Sequence, residues 1–151
     1  MITFEPAKEH HLPDIVAMLA NDPLGSARED ASEPLNPAYV AAFHAIVADK
    51  NQLLVVALLD QTVVGTLQLS FLPGLALTGA WRGQIEAVRI HQDHRGSGLG
   101  QTMFEWAIAR CRERGCSIVQ LTTDKSRKEA HRFYERLGFQ ATHEGYKLRL
   151  R

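Results

Sequence analysis

A mixed α/β domain, with helices packed on a central sheet, is the architecture expected of this chain, and three observations lead there. Its 151 residues fit one domain spanning 1–151, long enough to bury a core without disulfides or metal. Its 45% hydrophobic and 23% charged content, with 11 Gly and 6 Pro, sits near globular averages and excludes disorder, collagen and coiled coil. Strand-like and helix-like patterns then alternate in the order βααβββαβαβ, with an optional further strand.

The elements follow in chain order. Ile2–Glu5 reads as a short strand stopped by Pro6. Leu12, Ile15, Val16 and Leu19 recur at helical spacing, and Asn21-Asp22-Pro23 ends that helix. Residues 22–37 carry Pro23, Gly25, Pro34 and Pro37 among charges and read as a long loop. Pro37 suits the first turn of a second helix with Val40, Phe43, Ile46 and Val47 inside. Gln52–Leu59 and Thr62–Phe71 form an antiparallel hairpin across Asp60-Gln61, a weak turn signal. Leu72–Gly83 reads as a loop and Gln84–Ile90 as a third strand. In Gly98–Arg114 the residues Leu99, Met103, Ala107 and Cys111 stack at intervals of four, a helix that Gly115 ends. Ser117–Thr123 is another strand. Ser126-Arg127-Lys128-Glu129 has the form of a capping box and opens a helix whose stripe is Ala130, Phe133 and Leu137, stopped by Gly138. Phe139–Leu150 reads as one or two strands broken near Glu144-Gly145.

Charge and cysteine usage narrow the class. Lys+Arg and Asp+Glu balance at 17 each, so the bulk positive field of a non-specific nucleic-acid binder is missing and no nucleic-acid partner is expected. The 2 cysteines, Cys111 and Cys116, make neither a disulfide framework nor a zinc quartet, which suits a reducing cytoplasm. Met1–Pro6 lacks the basic and apolar regions of a signal peptide, and the aliphatic run Leu53–Leu59 is too short to span a bilayer, so no membrane partner is expected.

The strongest chemical signal is Arg95-Gly96-Ser97-Gly98-Leu99-Gly100, after a strand and opening a helix. Glycines let the backbone approach a ligand and adopt positive φ, and the free amides of a helix N-terminus suit phosphate oxygens. No Gly-Lys-Ser/Thr follows, so this is no Walker loop. Gln101 occupies the third-glycine position of a dinucleotide fingerprint, so it is not that either. A turn that merely packs a helix on a sheet is the plain alternative. In Ala130-His131-Arg132-Phe133-Tyr134-Glu135-Arg136-Leu137-Gly138-Phe139, periodicity by itself reads Phe133 and Leu137 as core, and Tyr134 as structural. His91 and His94, three apart, lack an evident third ligand, so no metal is expected. His10-His11 reads as a solvated helix start.

Together, Val88-Arg89-Ile90, Arg95-x-x-Gly98-x-Gly100 and Ala130-x-x-Phe133-Tyr134-x-x-x-Gly138-Phe139 resemble the GCN5-related N-acetyltransferase family. The resemblance covers the whole chain in element order and is motif-level from Gln84 to Phe139. It implies a mainly antiparallel central sheet with helices on both faces and a splayed parallel strand pair, Gln84–Ile90 with Ser117–Thr123, at the coenzyme site. It implies acetyl-CoA as co-substrate. The backbone of Arg95, Gly96, Ser97, Gly98, Leu99 and Gly100 would hold the pyrophosphate. Val88, Arg89 and Ile90 would hold the pantetheine arm and polarise the thioester carbonyl, and Tyr134 would be general acid to the departing thiolate. Arg127 stands where many members carry a coenzyme-contacting Asn; with Ala130–Tyr134 it is similar to the aminoalkylphosphonate acetyltransferase branch.

The implied chemistry meets a proton problem. An acceptor amine of pKa near 10.4 is free in only about one molecule in 2,500 at pH 7, a handicap of roughly 4.6 kcal/mol. Glu86 is the best candidate base, since a carboxylate inside an apolar strand is costly unless used or paired. Ile85-Glu86-x-Val88 also resembles the glucosamine-phosphate acetyltransferases. The alternatives are a Glu paired with a helix Arg, or one that only binds the ammonium. Tyr134 is a weaker acid than a thiol by ~2 kcal/mol, which an apolar pocket disfavouring thiolate would offset. No serine or cysteine sits in a nucleophile–base arrangement, so direct transfer to a small-molecule amine is expected. The rivals are a non-catalytic acyl-CoA-binding regulatory module and a protein or peptide N-acetyltransferase. A homodimer is left open.

Overall fold

Five strands share one sheet, and the computed structural model that contains them describes residues 1–150. Strands β1 (Ile2–Pro6), β2 (Gln52–Leu59), β3 (Thr62–Leu72), β4 (Trp81–Ile90) and β5 (Cys116–Gln120) lie in sequence order. The first four pair antiparallel, while β4 and β5 run parallel. The β2–β3 hairpin turns through Asp60 and Gln61, both with positive φ (49° and 70°). Two left-handed residues match the twist of the flanking strands, which explains how so weak a turn sequence still closes a hairpin.

Alternation along the strands divides the sheet into two apolar faces. Val55, Ala57, Val64, Leu67, Leu69 and Ile85 point to one side. There they meet Leu99, Met103, Phe104, Ala107 and Cys111 of α4 (Leu99–Glu113), the stripe expected from spacing. On the opposite side Val56, Leu58 and Val63 pack against Leu12, Ile15 and Met18 of α1 (Leu12–Ala20) and Phe43 of α2 (Pro37–Ala48). Helix α2 starts as its sequence demands, with Asn36 accepting from the Ala38 amide and proline in the first turn. One glycine is fixed by close approach: a Cβ at Gly83 would lie 2.3 Å from Cys111 Sγ, so the last turns of α4 sit flush on β4.

Several expectations need correction. β4 begins at Trp81, inside the stretch read as a loop, after a one-turn segment α3 (Ala76–Gly79) whose Leu77 and Thr78 have left-handed dihedrals. β5 ends at Gln120 rather than Thr123. Ser126 builds no capping box: its amide and hydroxyl both donate to Asp124 Oδ1, and α5 (Lys128–Arg136) starts from Arg127 without a side-chain cap. His11 is 6% exposed, its Nδ1 accepting from the Lys8 amide at 2.9 Å, and is not a solvated helix start. No strand forms in 139–150. Alternation supplies a strand's pattern, but a strand also needs a partner edge, and pairing is a tertiary property.

Candidate active site

The geometry of the site starts with a defect in β4. Between the pairs Gln68–Glu86 and Thr66–Arg89, β3 contributes Leu67 alone while β4 contributes Ala87 and Val88. This bulge is made by Ala87 at φ 54°, and it redirects the strand beyond it. On the other edge of β4, pairing with β5 stops at Gln84–Gln120. The residues 85–90 therefore have β3 as their only ladder partner, and the sheet is open between its two parallel strands. Val88 and Ile90 are half-buried on the α4 side of this opening.

At the end of β4 the chain makes one 3-10 turn (Gln92–His94) and enters the loop 95–100. Gly96 and Gly98 have φ of 77° and 85°, and an added Cβ at either would meet nothing within 4 Å. Conformation requires glycine there, while the space beside both stays free. The loop is held from outside. Ser97 Oγ donates to His94 O, and Arg95 donates to Ile90 O (3.3 Å) and Asn21 O (3.3 Å). Leu99 is buried as the anchor of α4. Gly98 is the N-cap and offers no side chain, so the amides at the start of α4 are left for an external acceptor. Such an end can bind an anion. Gly100 lies against Phe133 of α5.

Arg89 turns away from the opening towards the loop after α1. Its Nε lies 3.0 Å from Asp22 Oδ2 and its Nη1 donates to Val88 O at 2.9 Å. Burial pushes the Asp22 carboxyl up, but the Gly25 amide and the Arg89 guanidinium outweigh it and hold the group below its ordinary range. Burial lowers the Arg89 pKa, with Asp22 opposing. Nothing in the sequence marks Asp22 beyond its place at a helix end.

Tyr134 stands on the α4 side, its ring 5.6 Å from Phe104 and 6.2 Å from Phe139. Burial among these rings raises its pKa, and the charges of Arg127 and Arg89 pull it back in part. A phenol kept protonated beside cations can give its proton to a developing anion. Arg127, at the N-cap of α5, also bears on Asp22 and Arg89.

Glu86 lies on the other face of the sheet, exposed rather than inside an apolar strand, so the desolvation argument for it does not hold. It belongs to a polar row that no single residue announces. Gln52 Oε1 accepts from Gln68 Nε2 (3.0 Å) and Ser70 Oγ (2.9 Å). Glu86 Oε1 lies 3.4 Å from both Ser70 Oγ and Gln84 Nε2, and Gln120 Nε2 donates to Gln84 Oε1 at 3.1 Å. Four strands thus share one hydrogen-bonded strip running up to the opening. The carboxylate can hold an ammonium or take a proton.

Other groups have plain roles. His91 and His94 stack edge to face at 6.1 Å, and among the described residues no group of three His, Cys, Asp or Glu is placed to hold a metal ion. The Cys111 thiol is pushed up to about 11 by burial and cannot serve as a nucleophile near neutral pH. Among the same residues no helix is long and apolar enough to cross a membrane.

A mixed sheet opened between parallel strands, with a glycine loop and helix N-terminus at one side of the gap, is the frame of an N-acetyltransferase. The profile of the Acetyltransferase (GNAT) family matches residues 18–139, and the chain belongs to that family. It is 31% identical over 106 residues to the aminoalkylphosphonate N-acetyltransferase of Salmonella typhimurium, covering 70% of this chain and 68% of that one. A crystal structure described as a transcriptional regulator from Bacillus halodurans C-125 shares 49% identity with a TM-score of 0.96, over 99% of this chain and 100% of that one. The structure of AAC(6')-Iy with the bisubstrate analogue CoA-S-monomethyl-acetylneamine shares the fold alone, at 14% identity and a TM-score of 0.78 over 100% and 99% of the two chains.

Proposed function

We propose that this N-acetyltransferase moves an acetyl group from acetyl-CoA to the primary amine of a small molecule, by direct attack in a ternary complex. The observation that carries the reading is the opening between β4 and β5, with Tyr134 on one face and the Glu86 row on the other. Donor and acceptor would meet through the sheet. The backbone of Arg95, Gly96, Ser97, Gly98, Leu99 and Gly100 takes the coenzyme pyrophosphate. The unpaired edge of β4 at Val88, Arg89 and Ile90 takes the pantetheine arm and directs an amide at the thioester oxygen. Arg127 supplies a cation to the coenzyme in place of an asparagine.

The amine nitrogen attacks the thioester carbon, the C–N bond forms and the C–S bond breaks. The electron pair leaves on sulfur, which takes the Tyr134 proton. The proton lost by nitrogen goes to Glu86, directly or through water. The 31% identity to an enzyme named for aminoalkylphosphonates supports a small amine as acceptor. A panel of primary amines with acetyl-CoA, followed by thiol release, tests this. Intersecting initial-rate lines are expected; parallel lines would mean an acetyl-enzyme, and turnover of peptides alone would mean a macromolecular acceptor. The description of the Bacillus halodurans relative favours one second reading, acyl-CoA binding in the service of regulation. The same assay separates the two.

A further inference from the structure

The face of the sheet that carries Glu86 also carries a cation that no partner in the fold balances. Gly83 and Ile85 point towards α4, Gly83 against Cys111 and Ile85 into the core. Strand alternation therefore places Arg82, Gln84 and Glu86 together on the opposite face. Glu86 is exposed and Arg82 and Gln84 are half-buried, so the row is open to a ligand.

Other guanidinium groups of the sheet and of α4 are engaged. Arg89 pairs with Asp22, Arg110 with Glu113, and Arg114 donates to Lys50 O and Asn51 Oδ1. Arg82 has no ion-pair partner among the described residues. Its cross-strand neighbours are Leu72 of β3 and Ile118 of β5, both apolar. A half-buried guanidinium between apolar residues gives up part of its hydration with no carboxylate in return. Such a group suits a carboxylate or phosphate that arrives from outside.

The row has a polarity and a length. Glu86 stands beside the opening and Arg82 lies back along β4, about 13 Å away at roughly 3.3 Å per residue. Side chains stand nearly perpendicular to a sheet, so the two charged heads keep about that separation. Contacts of about 3 Å at each end leave a span of roughly 7 Å for a ligand lying between them. Between the ends, Gln84 accepts from Gln120 and donates towards Glu86, and it adds no charge.

We propose that Arg82 binds an acidic group at the far end of the acceptor, whose amine lies at Glu86 beside the opening. The substrate class is then a zwitterionic amine with its acid roughly 7 Å or more from nitrogen. α-Amino acids and other compounds that hold both charges close together are too short to reach both ends. Arg82 sets specificity and takes no part in proton transfer. The assignment rests on the acetyl transfer proposed above, and adds to it which small amines are taken and by what contact.

Three series of compounds test this: ω-amino carboxylates and ω-aminoalkyl phosphates of two to eight carbons, and alkylamines of matching length. With the full chain and acetyl-CoA, kcat/KM should favour an acidic series by about 10–100-fold, chiefly through KM, and peak at an intermediate length. Arg82→Gln should bring the acidic and neutral series level, and Arg82→Lys should restore part of the difference. Arg82→Glu should turn the preference towards α,ω-diamines, which a merely structural role would not do. Titration calorimetry of the same compounds on the CoA-bound protein reads the contact without turnover. An acidic advantage in binding that Arg82→Gln removes would support the anchor even if no amine were acetylated, an outcome that overturns the acetyl transfer alone. No acidic advantage in wild-type binding would refute the anchor. So would a preference strongest for the shortest members, or a selectivity that Arg82→Gln leaves untouched.

Discussion

Asp22 Oδ2 and Arg89 Nε are 3.0 Å apart, and this contact joins the loop after α1 to the bulged end of β4. Both side chains are largely buried, at 20% and 13% exposure, so each would be an uncompensated charge without the other. Asp22 also accepts from the Gly25 amide, and Gly25 has no alternative, since a Cβ there would lie 1.9 Å from Leu19 O.

Asp22→Asn should destabilise the fold by about 2 kcal/mol, a drop of roughly 4–8 °C in melting temperature for a domain of this size. The folded carboxyl titrates below its ordinary 3.8, so its contribution is present above that value and is lost as pH falls through the lowered one. The variant's acid unfolding curve should therefore be shallower. Coincident curves for wild type and variant would show the pair to be energetically idle.

Gly98→Asp should abolish acetyl-CoA binding while leaving a folded protein. The site has φ 85° and open space around an added Cβ, so the backbone strain is about 1–2 kcal/mol, whereas the carboxylate would face the pyrophosphate. Titration calorimetry is the measurement. Unaltered affinity would remove the loop from the coenzyme site.

Tyr134→Phe should keep acetyl-CoA affinity and lower kcat by about 10²–10⁴-fold, the usual worth of a general acid. Phenylalanine preserves the ring contacts with Phe104 and Phe139, so stability should hold. A kcat within about twofold of wild type would make Tyr134 structural or show that another step limits turnover.

Glu86→Gln separates a base from a binding group. With the base gone, activity should be low near neutral pH and recover towards pH ~9–10, where the amine is already free. A loss equal at every pH would mean that Glu86 positions the ammonium. Wild-type rates throughout would leave proton removal to water.

His11 gives the fold a pH dependence near neutrality. Burial first, and then the neighbouring His10, lower its pKa below 6.5. The unfolded chain then binds the proton more readily, so stability is complete above pH 6.5 and declines as pH falls from there to the folded value. The neutral ring accepts the Lys8 amide through Nδ1, a bond that protonation breaks. Melting temperature should drop between pH 7 and 5 in the wild type and less so in His11→Gln, which can still accept that amide.

What could be read from the sequence was what depends on local periodicity. The stripe Leu99, Met103, Ala107 and Cys111 placed α4 within a residue at each end, and the glycines before it placed the loop. The bulge at Ala87 left no trace, because alanine at positive φ is imposed by pairing with β3 and carries no glycine signal. Asp22 and Arg89 are far apart in the chain, and their pairing exists only after α1 packs on the sheet. The strip through Gln52, Ser70 and Gln84 is likewise made by strand register. Glu86 lies in an apolar run of the sequence, but strand register turns its side chain to the exposed face of β4. Ser126 matched a capping pattern, but the nearer Asp124 claimed both of its donors.

Gly83 makes α4 a lever. Leu99, at the start of the rod, is about 18 Å from Cys111, which rests on that glycine. Anything that lifts Cys111 from the sheet swings the far tip by a comparable tilt, and with it the amides aimed at the coenzyme. A methyl group added at Gly83, touching no ligand, would misalign the donors at the other end of the helix.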